Sequence, residues 1–128
     1  QKDIIAIADH ALDTHGKSTG RSGTDELAEP YGIPYRCLIP KSDGSGFKNV
    51  LIASRAASFS SLAASSCRLS RTMMQLGQAA GTAAYLAKTL DTSVATIPYP
   101  ELRQLLLKQH VQLEYPMPEA LEKYLENE

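Results

Sequence analysis

The sequence predicts a small α/β unit, or α+β if the unit stands alone, and three observations carry that prediction. Three short apolar or alternating runs, residues 3–8, 31–40 and 50–53, have the length and texture of strands. One long helical pattern follows, over residues 70–88, with a middle (GQAAG, 77–81) nearly free of bulky side chains. Two shorter amphipathic stretches, 101–109 and 118–126, close the chain as peripheral helices. The expected architecture is a short sheet, a long small-residue helix and two peripheral C-terminal helices.

Taken in order, DIIAIA at 3–8 reads as a strand whose polar continuation reaches Thr14 and His15. In an extended chain Asp13 and His15 share a face and His10 takes the other. Residues 16–29 are loop, rich in Gly, Ser, Thr and charge. YGIPYRCLIP at 31–40 is extended, because Pro34 and Pro40 lack amide donors and push their preceding residues out of the α region. Alternation through Tyr35, Arg36, Cys37 and Leu38 suggests a half-buried strand. A glycine-bearing turn, 41–48, leads to the more buried strand 50–53. Hydroxyls then crowd residues 54–66 and bond their own backbone, which predicts an irregular crossing. The long helix starts near Ser70 or Thr72, with either as N-cap. In the second C-terminal helix Ala120, Leu121, Tyr124 and Leu125 face inward.

The totals exclude several classes. A chain of 128 residues suits one ordinary domain. With 13 Lys+Arg against 14 Asp+Glu it carries no electrostatic signature of nucleic-acid binding. Its longest apolar run, 79–87, falls far short of the roughly 20 residues of a membrane span. Cys37 and Cys67 form neither a disulfide framework nor a zinc spacing, and read as reduced, half-buried small residues, with a single bridge between them as the open alternative. No secretory signal opens the chain, and the absence of an initial Met points to residues removed upstream.

No nucleophile elbow, zinc-protease helix, dinucleotide-binding glycine turn or phosphate loop is present, so no catalytic residue and no metal ligand is assigned. What remains is a helix N-terminus flanked by Arg55, Arg68 and Arg71. Free amides and the positive end of the helix dipole there favour an anionic or electron-rich ligand.

The strings IPYRCLIPK, NVLIASR and SSCRLSRTMMQLGQAAGTAAYLA, followed by ELRQLLLKQ, resemble the C-terminal part of the FAD-dependent oxidoreductase family common in Bacteroidetes and planctomycetes. The resemblance covers residues 3–113, and DTHG at 13–16 is similar to a weaker Asp-Ile-His motif of the family. It implies a two-part flavoprotein: a Rossmann-type FAD domain built from both ends of the chain, with a substrate domain inserted between. Residues 1–48 would be the end of the substrate-domain sheet with connecting loops. Residues 49–128 would supply the closing strand and helix of the split FAD domain plus the C-terminal helices, all in one compact unit. Carried over by position, Ser54, Arg55, Arg68, Thr72, Met73, Gly77 and Gln78 are the expected flavin-proximal residues.

Three positions depart from the family pattern: Ser54 stands for a usual Gly, Ser61 for a His, and Arg71 for a helix-starting Pro. The glycine-rich nucleotide turn belongs to the family's N-terminal part, so the chain alone is expected neither to hold FAD nor to be active. Its expected partners are the rest of the same protein or a second copy against the smooth face of residues 77–87, and neither nucleic acid nor membrane. Competing readings are a non-enzymatic interaction fragment and a part of a polysaccharide-degradation protein, since relatives often bear xanthan-lyase names. A lyase site of Tyr, His, Arg and Asn cannot be assembled from these residues.

Overall fold

A computed structural model describes residues 2–14, 24–25, 29–41 and 49–127. Strand β1 (Ile4–Ala8) pairs antiparallel with β4 (Tyr31–Pro34), and the short β2 (Leu12–Asp13) pairs with β3 (Thr24–Asp25). A 3-10 turn (Tyr35–Leu38) follows β4, and then come helices α1 (Ser61–Cys67), α2 (Ser70–Thr89), α3 (Tyr99–Lys108) and α4 (Glu119–Glu126). The chain is thus a small α/β unit, as the runs and periods predict.

β1 is the centre of the core. Ile5, Ala6 and Ala8 are buried, α2 lies across the strand, and α3 reaches its start. The register Ala6–Ile33, Ile7–Gly32, Ala8–Tyr31 slips between Ile4 and Ala6, just where Pro34 has no amide to offer the ladder. Gly32 leaves room for its neighbour there: a Cβ would sit 2.2 Å from Ile4 Cδ1 and 2.8 Å from its Cγ1, so any larger residue would force the Ile4 side chain to move. From above, Leu76, Ala79, Ala83, Leu86 and Ala87 of α2 bury one helical face against the strand, and Leu102 and Leu106 of α3 complete the cluster. The Tyr99 hydroxyl donates to the Ile4 carbonyl at 2.7 Å, tying α3 to β1.

The structure corrects several boundaries. Tyr35–Leu38 forms a 3-10 turn and not a continued strand: at three residues per turn Tyr35 and Leu38 fall on one side, and both are buried. Residues 50–53 form no strand, because Ile52 N–H to the Leu38 carbonyl (2.8 Å) meets backbone that is already turning, so no ladder develops beside it. The serine-rich crossing contains a helix, α1. Ser60 Oγ caps it by accepting from Ala63 N–H at 3.1 Å, while Ser65 and Ser66 spend their hydroxyls on the carbonyls of Leu62 and His10. Neither Ser70 nor Thr72 caps α2: Leu69 holds the N-cap position, with no side-chain bond. Helix α3 starts at Tyr99, earlier than expected, since Pro100 suits a first turn. Helix α4 has the expected span, yet none of its residues is buried, and Leu125 is 53% exposed. Its inward face half-covers Leu121 alone.

Both long helices end in Schellman motifs without glycine. After α2, Thr92 N–H reaches the Ala87 carbonyl and Asp91 takes φ 51°. After α3, Val111 N–H reaches the Leu106 carbonyl and His110 takes φ 58°.

Candidate functional site

The junction of α1 and α2 gathers the cationic side chains. Arg68 is the C-cap of α1 and Leu69, extended at φ −72° and ψ 154°, starts α2 at once. This abrupt turn leaves the first-turn amides of α2 without a side-chain cap and aims them outward from the helix end. Arg55 Nε donates to the Arg68 carbonyl at 2.8 Å, which brings Arg55 and Arg68 together as the sequence implies. Ser54 sits in the preceding turn, where its hydroxyl accepts from Ala56 N–H at 3.1 Å.

Two carboxylates answer this charge. Arg68 Nη2 lies 2.6 Å from Asp13 Oδ2, and Arg71 Nη2 lies 2.7 Å from Asp9 Oδ1. Both pairs are part-exposed, so each adds at most about 1 kcal/mol. Their larger effect is positional: they pin the start of α2 to the β1–β2 segment. Gln75 Oε1 helps by accepting from Ile7 N–H at 3.2 Å. Asp9 and Asp13 are members of this cluster that sequence reasoning did not pair with arginines. Their spacing of four residues after a strand, set against Arg68 and Arg71, was the available signal. His15, expected beside Asp13, lies outside the described residues. His10 instead bonds the Ala11 carbonyl through Nδ1 at 2.8 Å.

The remaining candidates divide along α2. Thr72 is 2% exposed and turns into the core, and Met73 is half-buried. Gly77 and Gln78 face outward. Gln78 Nε2 donates to Gln109 Oε1 at 3.1 Å, an oxygen that also accepts from Thr82 Oγ1 at 3.1 Å, so Gln78 is tied to the end of α3. At Gly77 and at Gly81 an added Cβ would meet nothing within 4 Å. The exposed Met74 and Tyr85 (74% and 64%) lie on the same open face as these glycines.

The site is therefore an open helix end that continues into an exposed helix face, where Gly77 and Gly81 lie among Met74 and Tyr85. Clefts of about 480, 320 and 290 Å³ lie elsewhere, and none is lined by the seven candidate residues. Among the described residues no group of three or more His, Cys, Asp or Glu could hold a metal ion, and no helix is long and apolar enough to cross a membrane. Amides without a side-chain cap, a guanidinium engaged with a neutral carbonyl, and two glycines with open space before them fit a flat ligand with anionic character.

The profile of a family described as FAD dependent oxidoreductase matches residues 1–106. No curated protein and no solved structure matches the chain.

Proposed function

From the premise that this chain belongs to the FAD-dependent oxidoreductase family, we propose that it is a fragment of such a flavoprotein, and that it lays the N-terminal end of α2 against the flavin. The single observation that carries this reading is the open helix end: outward amides without a side-chain cap, with Arg55 and Arg68 bound together beside them. When bound, FAD supplies the two-electron chemistry.

The residues of this chain then have distinct tasks. Arg55 and the first-turn amides of α2 hold negative charge that collects at the flavin on reduction. Arg68, already neutralised in part by Asp13, holds the junction in place and orients the Arg55 guanidinium through its carbonyl. Thr72 supports the helix from beneath, and Met73 shields its edge. Gly77, with no side chain and open space before it, admits close approach of a ring or of another segment. The rest of the same flavoprotein is the partner that this exposed face, with Met74 and Tyr85 beside the glycines, suits.

An absorbance spectrum of the purified full-length product tests the reading. Flavin bands are expected, and a colourless protein that takes up no added FAD overturns it. In that holoprotein Arg55→Gln should lower the flavin midpoint potential on the order of 30 mV, the equivalent of one charge-assisted hydrogen bond. An unchanged potential would mean that Arg55 does not hold the charge of the reduced flavin. The isolated chain should stay colourless after gel filtration with FAD, because it has no glycine-rich nucleotide turn of its own.

A further inference from the structure

A second candidate site lies beside α1. The cleft of about 320 Å³ between β4, the 3-10 turn and α1 is lined by both cysteines, together with Tyr31, Arg36 and Phe59. Both thiols are free. Cys67, the last residue of α1, is 0% exposed, whereas Cys37 in the 3-10 turn is only half-buried. The walls are fixed by backbone and hydroxyl bonds: Ser58 N–H donates to the Cys37 carbonyl at 2.9 Å, and the Tyr31 hydroxyl donates to the Ala63 carbonyl at 3.3 Å. Arg36 is the one charged residue among those lining the cleft, and its guanidinium is paired with the Asp3 carboxylate.

We propose that Cys37 and Cys67, which line one cleft, form an oxidisable dithiol, closed into an intramolecular disulfide by exchange with a small disulfide. Access sets the order of events. Cys37 is the reachable thiol; burial and Asp3 raise its proton affinity, while Arg36 lowers it. Cys67 is raised first by burial, a bond from Tyr31 works the other way, and Cys37 adds a smaller raising effect. Cys37 thiolate attacks one sulfur of the disulfide, forms a mixed disulfide and expels the first thiolate. Cys67 thiolate then attacks the Cys37 sulfur and expels the second. The two cysteine protons end on the two released thiols, and the small disulfide is the oxidant reduced. The product ties the 3-10 turn to the end of α1. This inference does not depend on the flavin reading.

The test treats the native full chain with oxidised glutathione, quenches it by alkylation, and maps intact mass and peptides. Wild-type chain should lose two hydrogens and yield a single Cys37–Cys67 crosslinked peptide. Cys67→Ser should stop at one glutathionyl adduct on Cys37, and Cys37→Ser should react about tenfold more slowly, since its remaining thiol is buried. Closure in the native chain should also outpace closure in urea. Separate adducts without a crosslink, no reaction at all, or closure no faster than in urea would each overturn the proposal.

Discussion

Tyr35 reaches through the core to donate its hydroxyl to the Val94 carbonyl at 2.6 Å, and burial pushes its phenol up from 10.0 to about 12. Folding therefore favours the neutral phenol. The associated stability is fully present below the ordinary value near 10 and is lost as pH climbs towards about 12. Tyr35→Phe should cost about 1 kcal/mol near neutral pH, because the Val94 carbonyl loses its partner. The same substitution should flatten the alkaline fall in stability, read by urea unfolding on either side of that window. A residual slope should survive, since burial raises Tyr31 and Tyr99 as well. At this scale the sequence was only half legible. Arg55 and Arg68 could be placed together from their position around one helix start. Asp9 and Asp13 could not be assigned to Arg71 and Arg68, because those pairs exist only once α2 lies on β1.

Among the elements, the helices were readable and the extended segments were not. A period of 3.6 over twenty residues is a property of the helix alone, so α2 could be found from its own sequence. A strand is defined by its neighbour, and residues 50–53 have apolar texture without a ladder. Tyr35–Leu38 shows the complementary failure: spacing of three between two buried residues fits a 3-10 turn, while the alternation inside it imitates a strand. Helix ends make a sharper test. Asp91 sits at the C′ position after α2 with φ 51°, where a Cβ is strained. Asp91→Gly should stabilise the chain by about 1 kcal/mol in urea unfolding. The gain would be absent if the motif were not formed in solution.

For the molecule as a whole, the open face of α2 decides how the chain stands to its surroundings. Gly77 and Gly81 occupy an exposed helix interior with nothing within 4 Å of a would-be Cβ. Gly77→Ala and Gly81→Ala should each raise the stability of the isolated chain by about 1 kcal/mol. In the full-length flavoprotein the same changes should weaken FAD retention or assembly, measured by flavin content after gel filtration. An equal gain in both settings would mean that nothing covers this face. The glycines were legible as a smooth face, and their emptiness was not, because open space is a fact about neighbours.

β1 also fixes a schedule. It is made before the helices that cover it, and the hydroxyl that closes on Ile4 belongs to Tyr99, 95 residues later. At ordinary translation speeds of about 5–20 residues per second, that strand waits on the order of 5–20 s for α2 and α3 to emerge from the ribosome. During that interval its row of isoleucines is a surface that chaperones can hold and that neighbouring nascent chains can stick to.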